Sequence, residues 1–124
     1  MEYAHTCIRV EDLEASINFY EKVLGYHVTG EKDHSDDGFK IVYLALEGDS
    51  VELELTYNIG HGPYEIGDGY GHVALYTEDL EGEHERIQTL WEGVGPLKGL
   101  PGESPRFFFV EDPDGYKTEI IRKN

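Results

Sequence analysis

The stretch His72-Val-Ala-Leu-Tyr-Thr-Glu-Asp-Leu-Glu81 decides how the chain folds, because its pattern occurs twice. The earlier copy is His5-Thr-Cys-Ile-Arg-Val-Glu-Asp-Leu-Glu14, 67 residues upstream at every position. Each copy opens on a histidine, runs through an extended apolar segment and closes on Glu-Asp-Leu-Glu. Alternation over residues 3–10 predicts a strand with His5, Cys7 and Arg9 on one face. Asp12 then serves as an N-cap, and Leu13, Ile17, Tyr20 and Leu24 recur at helical spacing until Gly25 ends the helix. The second copy repeats this with Asp79 as cap, Leu80, His84, Ile87 and Trp91 as the stripe, and Gly93 as the stop.

Outward from these openings, each unit continues in extended structure. After the first helix come a strand over 26–31, a polar loop over 32–38, and strands over 39–46 and 51–57. Glu47-Gly-Asp-Ser50 joins the last two as a hairpin turn. In the second unit, strands over 107–111 and 116–122 flank Asp112-Pro-Asp-Gly115, whose Pro and Gly supply turn dihedrals. Residues 58–69 hold four glycines and one proline and read as a connecting loop. The predicted architecture is α+β: two tandem βαβββ units, 1–57 and 70–124. One unit alone leaves a sheet face uncovered. Paired packing, within the chain or across a dimer, therefore predicts a curved mixed sheet with helices outside.

Composition narrows the function classes. At 124 residues, 39% of them hydrophobic, the chain is sized for a single domain, 1–124. Acidic residues outnumber basic ones 26 to 10. The resulting charge of −16 repels nucleic acid and anionic membrane, both held chiefly by clustered Lys and Arg. No apolar run approaches the ~20 residues that cross a bilayer. The opening Met-Glu-Tyr-Ala-His has neither the basic start nor the apolar stretch of a signal peptide. The one cysteine, Cys7, has no internal partner, which fits a reducing cytoplasm.

Four residues then stand out. His5 and His72 share the 67-residue offset, while Glu54 and Glu119 are 65 apart, each four residues past a turn. One His and one Glu per unit predict a four-ligand divalent-metal site, since imidazole and carboxylate are good ligands and strands hold them rigidly. The alternative is a pair of hydrogen-bonded structural histidines with Glu54 solvated like Glu52. Symmetric recurrence of both residue types brings the metal reading level with that alternative.

Two His and two Glu leave up to two positions of an octahedral ion for water or substrate oxygens. That suits proton abstraction next to a carbonyl, with a carboxylate as base and the ion as Lewis acid. Non-haem iron redox chemistry fits poorly, because its facial arrangement has a single carboxylate. Arg9, Asn58 and Lys98, with Arg106 and Lys117 as helpers, are candidates to hold an anion locally; solvated surface groups are the alternative. His27, His34, His61 and His84 lack the symmetry and are expected at the surface. Cys7 is expected as a small core residue.

Several motifs together resemble a known family. They are His5-Thr-Cys-Ile-Arg-Val, Ser16-Ile-Asn-Phe-Tyr20 with Val23-Leu-Gly25, Glu52-Leu-Glu-Leu-Thr-Tyr-Asn58, Gly71-His-Val-Ala-Leu75 and Val110-Glu-Asp-Pro-Asp-Gly-Tyr-Lys-Thr-Glu-Ile-Ile121. Over nearly the whole chain this resembles glyoxalase I, the lactoylglutathione lyases of the vicinal-oxygen-chelate superfamily. The resemblance implies metal ligation by His5, Glu54, His72 and Glu119, and glutathione contacts from Arg9, Asn58 and Lys98. It implies isomerisation of the methylglyoxal–glutathione hemithioacetal to S-lactoylglutathione through an enediolate, with Glu119 as base and Glu54 serving the other diastereomer.

It also implies a homodimer with shared sites. The short chain resembles the Ni²⁺- or Co²⁺-activated class rather than the Zn²⁺ class. Other members of the superfamily are the competing readings: a metal-dependent epimerase, a thiol transferase, or a metal-free small-molecule-binding module.

Overall fold

The computed structural model describes Met1–Asn124, which divides into two compact units, Met1–Glu65 and Ile66–Asn124. The division falls inside the glycine-rich connection at 58–69. No helix is long and apolar enough to cross a membrane.

The first unit runs β1 (His5–Arg9), α1 (Leu13–Lys22), β2 (His27–His34), a 3-10 turn (Ser35–Asp37), β3 (Phe39–Ala45) and β4 (Glu52–Asn58). The sheet order is β1-β4-β3-β2, with β1 parallel to β4 and the other pairs antiparallel. Period-two alternation sends Ile8 and Val10 into the core while His5, Cys7 and Arg9 stay exposed on the other face. Cys7 is thus an exposed thiol and not the core residue its size suggests. Asp12 caps α1 by accepting from the Ala15 amide at 3.1 Å. Its buried face is Ser16, Phe19 and Tyr20, with Leu13 and Ile17 only half-buried. Gly25, at φ +79°, lets the chain reverse so that the Tyr26 amide donates to the Tyr20 carbonyl at 2.9 Å.

The polar stretch expected as a loop at 32–38 is mostly strand. β2 continues to His34, pairing Lys32 with Ile41, Asp33 with Lys40 and His34 with Phe39. Opposite charges face each other at the second pair, and the His34 ring stacks on Phe39 at 4.8 Å. An edge strand facing water on both sides needs no apolar alternation, so its composition imitates a loop. The reversal is confined to Ser35–Asp37 and Gly38.

The second unit runs β5 (His72–Thr77), α2 (Leu80–Leu90), β6 (Phe107–Glu111) and β7 (Lys117–Arg122). The sheet order is β5-β7-β6, with β5 parallel to β7 and β6 antiparallel to it. Asp79 caps α2 by accepting from the Gly82 amide at 3.0 Å. Asp112 Oδ1 accepts from the Asp114 and Tyr116 amides, both at 2.9 Å, fixing the turn between β6 and β7. This unit is βαββ, not the predicted βαβββ. Where the third strand was expected, residues 92–106 make only the isolated bridges Val94↔Val110 and Lys98↔Phe107. Pro96, Pro101 and Pro105 remove ladder donors, and the intervening glycines weaken extended structure further.

The chain is therefore α+β as expected, with one mixed sheet in each unit. Each unit has a core on one sheet face: Leu44, Leu55 and Phe19 in the first, Phe108, Ile87 and Leu80 in the second. Each such side chain contributes roughly 1.5–3 kcal/mol on burial.

Candidate metal centre

Both units build the same His–Glu pair by the same register. In the first, parallel pairing sets His5 opposite Glu52, so Glu54 lies diagonally one step further on the same face. In the second, His72 stands opposite Lys117, and Glu119 takes the same diagonal. His5 Nε2 lies 3.3 Å from Glu54 Oε1, and His72 Nε2 lies 3.1 Å from Glu119 Oε1. The histidine side chains are 37% and 38% exposed and the carboxylates 11% and 18%, so each pair opens to solvent on its imidazole side. An aromatic ring on the third strand braces each imidazole edge-on: Tyr43 at 5.6 Å from His5, Phe109 at 5.1 Å from His72.

The surroundings of the two carboxylates differ. Thr56 donates to Glu54 Oε2 at 2.8 Å, and the Cys7 Sγ lies 3.4 Å from Thr56 Oγ1. Burial alone would raise the Glu54 carboxyl. Hydrogen bonds from Cys7, Thr56 and Tyr43, with the charge of His5, outweigh burial and hold it below the ordinary glutamate range. Burial, followed by the bond to Glu54, pushes the Tyr43 hydroxyl up.

The other candidates divide between the units. Arg9 and Asn58 lie at the C-terminal end of the β1–β4 pair, on the face that carries His5 and Glu54. Asn58 Nδ2 donates to the Tyr64 hydroxyl at 2.9 Å, and His61 stacks on Tyr64 at 3.9 Å. Lys98 is exposed in the bridged segment of the second unit, its amide donating to the Phe107 carbonyl at 2.8 Å. Arg106 donates to Asn124 Oδ1 at 2.9 Å, and Lys117 stands opposite His72. His27, His34 and His61 are exposed as expected, but His84 is buried, with Nε2 2.9 Å from the Gly95 carbonyl. A carbonyl only accepts, so this nitrogen carries the proton.

Residues 2–120 match the model of the glyoxalase/bleomycin resistance protein/dioxygenase superfamily. The chain belongs to that superfamily. It is 40% identical to a lactoylglutathione lyase of Haemophilus influenzae, over 98% of this chain and 92% of the relative. Its fold superposes on the trypanothione-dependent glyoxalase I of Leishmania major with a TM-score of 0.84 at 35% identity, covering 98% of this chain and 86% of the other. It superposes on glyoxalase I from Zea mays with a TM-score of 0.89 at 30% identity, covering 98% of this chain and 44% of the maize one.

Ligands at about 2.1 Å from one ion lie roughly 3.0 Å apart at octahedral angles and 3.4 Å apart at tetrahedral ones. The observed Nε2–Oε1 separations of 3.3 and 3.1 Å fall in that interval. Each pair fits as two adjacent ligands of one ion. Each unit provides one such pair.

Sequence reasoning found the pairs but missed Thr56 and Tyr43 around Glu54. Thr56 was within reach, since residues two apart on a strand share a face. Tyr43 required the β3–β4 register, which pairs it with Glu54.

Proposed function

We propose that the chain is a metal-dependent lactoylglutathione lyase, isomerising the methylglyoxal–glutathione hemithioacetal to S-lactoylglutathione. The observation that carries this reading is the His–Glu pair built twice in one register, in a chain about two-fifths identical to a relative bearing that name. His5, Glu54, His72 and Glu119 would hold the ion. When bound, it supplies Lewis-acid stabilisation of negative oxygen. Glu119 takes the C1 proton of the hemithioacetal, the electron pair left behind forms the enediolate, and return of the proton to C2 gives the thioester. The hydroxyl proton passes from the C1 oxygen to the C2 oxygen in the same isomerisation, so that oxidation at C1 is matched by reduction at C2 and no external oxidant is needed.

Arg9 and Asn58, with Lys98, are assigned to the glutathione moiety, whose carboxylates give cations a purpose in a strongly acidic chain. Each unit offers half of a four-ligand set, and we assign the complementary half to a second copy in a homodimer. An all-nitrogen-and-oxygen donor set in a short chain supports Ni²⁺ or Co²⁺ over Zn²⁺. A lone exposed thiol supports a cytoplasmic setting.

The test is thioester formation, followed by ultraviolet absorbance, from methylglyoxal and glutathione with chelator-stripped protein. Activity restored by Ni²⁺ or Co²⁺ and little by Zn²⁺ is the expected result. No activity with any ion, in protein that binds metal stoichiometrically, rejects the substrate and leaves the centre standing.

A further inference from the structure

The two units place different neighbours around otherwise equivalent carboxylates. Glu54 has both oxygens engaged: Oε1 toward His5 at 3.3 Å and Oε2 by the Thr56 hydroxyl at 2.8 Å. The Thr56 proton is committed to Glu54, and the Cys7 thiol, 3.4 Å from Thr56 Oγ1, belongs to the same cluster. Tyr43, paired with Glu54 across β3–β4, adds its hydroxyl to the same carboxylate. In the second unit the same three places hold Ala74, paired with Glu119 as Cys7 is with Glu54, then Ile121, two residues past Glu119, and Phe109, its cross-strand partner. None of the three side chains can donate a hydrogen bond. Glu119 Oε1 meets His72 at 3.1 Å, and no protein donor holds its Oε2.

We infer that Thr56, Tyr43 and Cys7 are positioning residues that lock Glu54 as the fixed carboxylate of the pair, and that their apolar counterparts Ile121, Phe109 and Ala74 leave Glu119 free to swing onto the substrate. The asymmetry sets which carboxylate does the proton transfer and which only holds. Its catalytic consequence rests on the lyase reading; the geometric statement does not. An unlocked ligand has rotamers to choose from, whereas a carboxylate held at both oxygens has one.

The first arm of the test is high-resolution crystallography of the metal-free protein, wild type and with Thr56→Val and Thr56→Val/Tyr43→Phe. The wild type is expected to show one Glu54 rotamer and more than one for Glu119, and the variants a second rotamer for Glu54. A single Glu54 rotamer retained in the folded double variant overturns the inference. The second arm gives the other unit its missing hydroxyl. In Ile121→Thr, kcat is expected to fall about tenfold or more with KM nearly unchanged, since only a motion needed for the chemical step is restrained. An unchanged kcat, in protein whose Glu119 is seen bonded to the new hydroxyl, also overturns it. Wild-type protein that forms no thioester would reject the lyase reading alone, because the rotamer arm reads metal-free protein.

Discussion

The two units share what places the His–Glu pair and differ in how the rest is held. Both begin with a strand, an Asp-capped helix and a parallel pairing that puts Glu diagonal to His. The first unit then closes a four-stranded ladder over twelve buried apolar side chains; the second has three strands over five. In place of the missing ladder, the second unit uses side-chain donors. His84 reaches the Gly95 carbonyl at 2.9 Å, Trp91 the Glu111 carbonyl at 2.7 Å, and Arg122 the Pro105 carbonyl at 3.0 and 2.9 Å. A segment rich in proline and glycine cannot pair as a strand, so its backbone is satisfied one donor at a time. The register around the pair is the same in both units, while the outer strand is present in only one.

The largest expected effect divides the two carboxylates. Glu119→Gln is expected to lower turnover by ~10²–10⁴-fold, the usual worth of a positioned base, in protein that keeps its folded spectrum. Glu54→Gln is expected to lose less turnover and more metal affinity, because Glu54 is the better-held carboxylate. Steady-state rates on metal-reconstituted variants, with metal titrations beside them, decide this. Equal losses from both would make the units functionally symmetric.

Next in size is the difference between cores. Phe108 is fully buried and is the largest side chain in the small core of the second unit. Phe108→Ala is expected to cost ~3–5 kcal/mol, against ~2–5 kcal/mol for Leu55→Ala in the first unit. Either loss is a large share of the roughly 5–15 kcal/mol that holds a domain folded. Urea midpoints at constant slope measure both. A smaller loss at Phe108 than at Leu55 would mean that the side-chain donors, and not the core, hold the second unit.

How much of this the sequence announced follows from the range of the interactions. The helices, their Asp caps and the His–Glu recurrence depend on neighbours a few residues apart, and they were legible from spacing. The extent of β2 was not, because an exposed edge strand such as Glu31–His34 carries the polar composition of a loop. The absence of a third strand at 92–106 was foreshadowed by its prolines but hidden by the strong repeat, which invited copying the first unit onto the second. His84 looked like a surface residue because its partner is a backbone carbonyl eleven residues on. Contacts to main chain leave no residue-type signature at the receiving end. The hydrogen bond that Tyr43 gives Glu54 likewise depends on cross-strand register rather than on residue spacing.

A smaller effect probes that buried histidine. The place of His84 in the first unit is taken by half-buried Ile17, so His84→Ile copies one unit's solution into the other. It would strand the Gly95 carbonyl and remove the edge-on contact with Phe108 at 4.7 Å. A loss of about 1–3 kcal/mol is expected, the usual cost of an unsatisfied buried group. Amide exchange should quicken at Gly95 and its neighbours. Unchanged stability would show that solvent already satisfies Gly95.

The smallest effect concerns an ion pair that only the second unit has. Arg122 bonds the Glu81 carboxylate, while the equivalent positions of the first unit hold Glu14 and Tyr57, which cannot pair. The bond from Arg122 holds the Glu81 carboxyl below the ordinary glutamate range. The folded state therefore favours the ionised form, and the pair's contribution is fully present above the unfolded pKa of about 4.3. It is lost as pH falls through the lower folded value, where the protonated carboxyl no longer holds a charge for Arg122. Glu81→Gln should accordingly lower the melting temperature slightly at neutral pH, and the gap to wild type should close in acid. Added salt should narrow the gap at neutral pH, because the pair is exposed and screened. A gap that persists below the folded value would assign the contribution to packing of the side chain and not to its charge.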